Sequence, residues 1–409
     1  MSTASAASEA PSKGRNWRSS LFQNLQKIGR SLQLPIAVLP AAGLLNRLGQ
    51  PDVFGAEGLG WDRVSQVIGA AGGAVFANLS LLFCIGVAIG FAKKADGSTA
   101  LAAVVGYLVF NNVLTAFPDD EGNPQNPGVL GGIVVGLITA VVWQRYHRTK
   151  LVDWLGFFNG RRLVPMQMAL IGLVLGILFG LLWGPIGTGL ENFGDWLIGL
   201  GALGSGIFGF INRLLIPIGM HQFVNTFLWF QVGDFTNAAG EVVHGDIARF
   251  YAGDPEAGIF MTGFYPIMMF GLPAAALAIT HCARPERRKE VGGLMLSVAL
   301  TAFVTGVTEP LEFSFMFVAP LLYGLHAVLT GISMAVTWAL GIKDGFTFSG
   351  GLIDYGLAWS NATQPWMIIP VGLVFAVVYY LVFRFAITRF NLPTPGREPE
   401  EDLVDTTKP

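Results

Sequence analysis

The chain has 409 residues, of which 52% are hydrophobic and only 13% charged, with a formal net charge of −2. Soluble globular proteins carry charge on about a quarter of their residues, so this composition excludes a water-surrounded fold for most of the chain. Runs such as MALIGLVLGILFGLLWGPIG are apolar on every face, which excludes a β-barrel, whose strands alternate lipid-facing and lumen-facing positions.

In chain order, the opening segment MSTASAASEAPSKGRNWRSS is small, polar and then basic. It has no apolar core ahead of a cleavage site, so residues 1–31 read as a cytoplasmic tail rather than a signal peptide. Apolar stretches follow at 32–49, 64–80, 81–93, 99–117 and 128–146. A second group lies at 166–190, 196–219, 260–282, 291–308, 313–340 and 366–388. A helix crosses a bilayer in roughly 17 to 25 residues, so the expectation is an all-α integral membrane bundle of about ten transmembrane helices. Breaks at Gly306 to Pro310 and along the glycine-rich stretch 341–351 suit re-entrant hairpins, since irregular backbone at membrane depth persists only where protein or a cavity covers it. Gly172, Gly176 and Gly180 share one face of a helix, where small residues permit close packing, within the chain more readily than between chains.

Cytoplasmic connections retain Lys and Arg. The clusters at Arg15, Arg18, Lys27 and Arg30, at Lys93 and Lys94, at Arg145 to Lys150 with Arg161 and Arg162, and at Arg284 to Lys289 therefore face inward. The acidic loop FPDDEGNPQNP and the stretch DFTNAAGEVVHGDIARFYAGDPEAG face outward or line a pore. Both termini are then cytoplasmic in a multi-pass membrane protein, and the tail at 391–409 lies inside.

An ionisable group at bilayer depth costs roughly 2.5 to 3.5 kcal/mol on insertion scales, so each one marks a partner or a polar cavity. In INRLLIPIGMHQFVNT, Arg213, His221 and Asn225 fall on nearly one face if the helix is continuous, a row of donors and acceptors suited to sugar hydroxyls. The competing reading has Arg213 at a helix C-terminus and His221 capping a broken helix. In TGVTEPLEF, Thr308 and Glu309 sit at a proline break, where a carboxylate can accept from a hydroxyl and assist removal of its proton. Glu312 is a structural partner for Arg213 or Lys343. Weaker candidates are Asp96, at a basic helix end, and Lys343, Asp344 and Asp354, around the glycine-rich segment. His147, His281 and His326 lack ligand spacing and read as structural, and Trp154, Phe157, Phe158 and Trp366 suit an interfacial belt. Cys84 and Cys282 show no metal spacing. No Walker motif, nucleophile elbow or zinc spacing occurs, so neither ATP-driven pumping nor soluble hydrolase chemistry is encoded.

At LQKIGRSLQLPIAVLPAAGLLNRLG, GRRLVPMQMA, PIGMHQFVNT and GVTEPLEF the chain resembles enzyme IIC, the membrane subunit of the glucose and N-acetylglucosamine family of the bacterial phosphotransferase system. The stretches QVGDFTNAAGEVVHGDIARFYAGDPEAG and FSGGLIDYGLAW look most similar to its N-acetylglucosamine branch. The resemblance implies a homodimer, with residues 32–165 as scaffold and dimer contact and residues 166–390 as a sugar-carrying half that moves like an elevator. It implies that His221 and Glu309 hold the sugar near its carbon-6 hydroxyl as the catalytic pair, with Arg213, Asn225 and Thr308 as further sugar contacts. It further implies that the protein binds no cofactor, that phosphate comes from a phosphocysteine on a separate IIB protein, supplied through IIA, HPr and enzyme I from phosphoenolpyruvate, and that no nucleic acid is involved. Glucose is the alternative substrate. An ion-coupled secondary transporter using Glu309 and His221 as a proton relay, and a membrane-embedded acyltransferase with His221 as base, are the alternative activities.

Overall fold

The computed structural model describes residues 27, 31–32, 34–35, 38–50, 53–56, 58–118, 124–237, 240 and 242–397. The proposed N-terminal tail and the end of the C-terminal one therefore lie largely outside the described residues. Helices dominate, in keeping with an apolar chain that must satisfy every backbone N–H and C=O within its own segments.

The first group comprises α1 (Leu39–Leu48), α2 (Asp62–Ala77), α3 (Leu79–Phe91), α4 (Gly97–Leu114), α5 (Gly128–Tyr146) and α6 (Leu163–Gly199). Asp96 starts α4: its carboxylate accepts from Ser98 N at 2.9 Å while Thr99 Oγ1 accepts from Asp96 N at 3.1 Å. Such a reciprocal cap satisfies two otherwise orphaned donors and contributes about 1 kcal/mol. The core here joins Phe110, Leu114, Trp143 and Met168 from α4, α5 and α6. The glycine face of α6 packs within the chain. A Cβ on Gly172 would stand 2.5 Å from Gly106 O, one on Gly176 would meet Val113, and one on Gly180 would meet Phe117. Gly172→Val therefore forces α4 and α6 apart, and we expect a loss of about 1 to 3 kcal/mol, the usual cost of overpacking. Thermal unfolding in detergent, compared with Gly184→Val where no atom lies within 4 Å, checks this.

The expected break near 191–195 does not occur. Helix α6 runs unbroken for 37 residues through Pro185, because an internal proline costs one backbone bond and an apolar run on both sides sustains the rest. The turn comes instead at Gly201, whose φ of +56° suits a residue without a Cβ.

The second group begins with α7 (Ala202–Leu215), a 3-10 turn at Ile216–Ile218 and α8 (His221–Phe230). A hairpin of β1 (Asp234–Thr236) and β2 (Val242–His244) follows, then α9 (Asp246–Tyr251). His244 Nδ1 lies 2.6 Å from Asp234 Oδ1 across this hairpin, and that hydrogen bond holds the Asp234 carboxyl below its ordinary range. Next come a π-helical turn at Pro266–Gly271, α10 (Leu272–Cys282), α11 (Arg288–Thr305), α12 (Glu309–Met316), α13 (Pro320–Ala339), α14 (Leu352–Ala358) and α15 (Ile368–Arg389). Gly206 and Gly331 face each other where α7 meets α13, and the aromatics Phe208, Phe260, Phe264 and Phe346 fill the space beneath. A separate core of Phe315, Leu322, Tyr379 and Phe383 joins α12, α13 and α15.

Among the described residues, five helices have the length and hydropathy to cross a membrane: Gly97–Leu114, Gly128–Tyr146, Gly160–Gly199, Pro320–Ala339 and Pro365–Arg389. A sixth arises if α2 and α3, bent by 55° at their junction, act as one span. Leu170, Leu173, Val174, Ile177 and Leu181 remain exposed along α6, as a lipid-facing surface requires. Trp154, Phe157 and Trp366 are exposed as well, as an interfacial belt requires. Both cysteines are buried free thiols.

Candidate functional site

Two helix breaks build the site. Residues 213 and 221 do not share a continuous helix, contrary to the face argument from sequence. Helix α7 ends at Leu215, Pro217 sits in the tight turn that follows, and Gly219 at φ +72° lets α8 restart at His221. The second break is parallel in its chemistry: Gly306 at φ +73° ends α11, and α12 restarts at Glu309 with Pro310 in its first turn. His221 and Glu309 thus each open a helix, and both border one cavity of about 380 Å³. That volume lies at the small end of the range for small-molecule sites, suited to a single sugar ring.

The cavity gathers most of the residues expected from sequence. Arg213, His221, Asn225, Thr308 and Glu309 all line it. Arg213 is anchored from behind: its Nη1 donates to Glu312 Oε1 at 2.7 Å and to Thr308 Oγ1 at 3.3 Å, and its guanidinium lies 4.8 Å from the centre of the Phe264 ring. Glu312 is wholly buried, and its Oε1 also meets His326 Nε2 at 3.1 Å, whose Nδ1 lies 2.8 Å from Tyr379 Oη. Tyr323 Oη donates to the Arg213 carbonyl. Of the two partners considered for Glu312, the structure therefore selects Arg213. Both contacts fall on Glu312 Oε1, while among the described residues Glu312 Oε2 and Arg213 Nε have no hydrogen-bond partner, so the attraction within the pair carries most of the offset against desolvation. His221 is 6% exposed, and among the described residues its Nδ1 has no hydrogen-bond partner. His221 lines the cavity, where an imidazole can donate to or accept from a hydroxyl according to its tautomer.

The weaker candidates separate from this centre. Asp96 caps α4 and pairs with Arg161 at 2.8 Å. Lys343 Nζ donates to the Pro255 carbonyl and borders a different, larger cavity of about 620 Å³ with Gln50, Asp254, Ser360 and Asn361. That cavity contains neither His221 nor Glu309, so its size does not make it the centre of the chemistry. Asp344 is fully buried, and its backbone N and O exchange hydrogen bonds with Thr262 Oγ1 at 2.8 and 3.0 Å. Asp354 acts indirectly: it accepts from Thr347 N at 2.8 Å and Thr347 Oγ1 at 2.9 Å, fixing a segment whose Thr347, Phe348 and Ser349 line the cavity.

Sequence reasoning missed Asn212, Gln222, Trp229 and Phe264 as cavity residues. Asn212 had a visible signal, being a polar side chain beside Arg213 in an apolar run. Trp229 and Phe264 had none, because an aromatic in a membrane helix is most often core or belt.

A membrane-embedded helical bundle with a sugar-sized cavity bordered by an imidazole, a carboxylate and a braced guanidinium at two broken helices fits a carrier of a small polar molecule. The sequence comparisons make that class specific. Residues 29–331 match the family described as phosphotransferase system, EIIC, and the chain belongs to that family of sugar-system membrane components. It is 68% identical, over the full length of both chains, to the "PTS system N-acetylglucosamine-specific EIIC component" of Streptomyces coelicolor. It is also 53% identical to the N-acetylglucosamine-specific EIICBA component of Escherichia coli, covering 93% of this chain and 57% of that one. The N-acetylglucosamine-specific EIICB component of Bacillus subtilis is 48% identical over 92% of this chain and 79% of its own length.

Proposed function

We propose that this protein carries N-acetylglucosamine across the cytoplasmic membrane and presents its carbon-6 hydroxyl for phosphorylation by a IIB component. The observation that supports this reading most is the convergence of His221 and Glu309 on one sugar-sized cavity from two separate helix breaks, in a chain whose full-length relative is named for that sugar. Glu309 accepts the hydroxyl proton as the oxygen bonds to the phosphorus of the IIB phosphocysteine and the S–P bond breaks, releasing the IIB cysteine as a thiolate, while His221 and Arg213 orient the ring and balance charge. Neither Cys84 nor Cys282 borders the cavity, so the phosphoryl group arrives from another component. The names of the E. coli and B. subtilis relatives join C to B, or to B and A, in one polypeptide. HPr and enzyme I supply the phosphate further upstream.

The short apolar helices Ala202–Ile218 and Pro266–Cys282, with the segments after Gly306 and Ile342, act as partial crossings and re-entrant hairpins that complete about ten crossings. The sugar-carrying half moves against a homodimeric scaffold, and both termini face the cytoplasm. Vesicles containing the protein should convert external N-acetylglucosamine to its 6-phosphate only when phosphoenolpyruvate, enzyme I, HPr, IIA and IIB are all supplied. Accumulation of unmodified sugar on a proton gradient would instead identify an ion-coupled transporter.

A further inference from the structure

A second set of polar groups borders the cavity outside the charged network. Asn212 Nδ2 donates to Asn225 Oδ1, and Asn225 Nδ2 donates to Gln222 Oε1 at 3.4 Å. Asn212 and Asn225 are buried, and Asn225 lies one helical turn beyond Gln222 on α8. A carboxamide whose oxygen is occupied has its NH₂ left to offer, so the chain of amides has a direction. It runs from Asn212 through Asn225 to Gln222 and ends on Gln222 Nε2. Among the described residues no acceptor meets that nitrogen, and Gln222 lines the cavity.

A run of three neutral amides ending in a free donor is matched to a neutral acceptor rather than to a charge. The sugar hydroxyls already have Glu309, His221 and Thr308 to meet them. What remains on a 2-acetamido sugar is one amide carbonyl and one methyl group. The same cavity offers apolar side chains, Ile216 and Phe313 among them, against which a methyl can pack. Hydrogen bonds along a row of amides polarise one another, so the terminal N–H is a better donor than an isolated one.

We propose that Gln222, oriented by Asn212 and Asn225, donates to the acetamido carbonyl and sets the preference for N-acetylglucosamine over glucose. The assignment rests on the function proposed above. Losing a hydrogen bond of this kind costs about tenfold in affinity, and only for the sugar that carries the acceptor. The experiment is equilibrium binding of N-acetylglucosamine and of glucose to the full-length protein in detergent, for the wild type, Gln222→Met and Gln222→Glu. Met keeps the length without a donor, and Glu presents only acceptors to a carbonyl. The ratio of affinity for N-acetylglucosamine to that for glucose should fall about tenfold in Gln222→Met and at least as far in Gln222→Glu, which also serves if the Met variant fails to fold. An unchanged ratio in a folded variant overturns the assignment while leaving the proposed function standing. A wild-type protein that binds no N-acetylglucosamine sinks the proposed function itself.

Discussion

Glu309→Gln should leave a folded protein that still binds sugar, yet should lower phosphoenolpyruvate-dependent phosphorylation by a factor of about 100 or more, the ordinary contribution of a positioned general base. Glu309 is the first residue of α12, three positions after the left-handed Gly306, and glutamine keeps its length and volume there. A glutamine can still accept a hydroxyl hydrogen bond through its oxygen but cannot take the proton. The expected split is therefore a small change in sugar binding against a large loss of turnover. His221→Ala should also abolish turnover, with sugar binding lost as well, because the imidazole borders the cavity and alanine offers a hydroxyl no hydrogen-bond partner. Inverted membrane vesicles with saturating IIB, IIA, HPr and enzyme I provide the measurement. Near-normal turnover in either variant would remove that residue from the site.

That these two residues could be picked out of 409 follows from the price of charge in lipid. Each stands beside a glycine and a proline in an otherwise apolar run, and that pattern has few structural uses at membrane depth. Glu312 was legible as a partner for Arg213 or Lys343 for the same reason, and the structure decides for Arg213. What connected it onward to His326 and Tyr379 was not, because α13 and α15 approach α12 through tertiary packing that no local period encodes. The amide row was hidden more deeply. Asn212 and Asn225 are thirteen positions apart, and a continuous helix would have put Asn225 on the face of Arg213; the turn at Gly219 redirects α8 so that the two amides meet.

The fold was legible where hydrophobic length alone decides and obscure where breaks do. Helices α4, α5 and α15 fall close to the stretches anticipated at 99–117, 128–146 and 366–388. The run 313–340 instead divides into α12 and α13 at Pro320, whose ring ends one helix and opens the next. Conversely, the polar tract at 191–195 stays helical, because polarity lowers the benefit of burial in lipid without forbidding the backbone bonds. Punctuation by glycine and proline sets limits on a chain path, and tertiary contact decides which of them are used.

The buried ion network gives the second large effect. Glu312→Ala leaves the Arg213 guanidinium, with its side chain only 5% exposed, without its carboxylate, and breaking a buried pair in this way costs about 3 to 5 kcal/mol. His326 loses its acceptor in the same step, adding an unsatisfied group at a wholly buried position. We expect a pronounced fall in thermal stability in detergent. Removing both charges, as in the double variant Arg213→Met with Glu312→Gln, should restore much of that stability, because an uncharged pair of similar volume carries no desolvation cost. Transport should not return with it, since Arg213 borders the cavity and donates to Thr308 beside Glu309. A double variant as unstable as Glu312→Ala would show that an unpaired buried charge is not what destabilises Glu312→Ala. One that regained sugar phosphorylation would show that the guanidinium braces the fold and takes no part in holding the sugar. The two readouts separate what the network does for the helices from what it does for the cavity, which a single substitution at either end would confound.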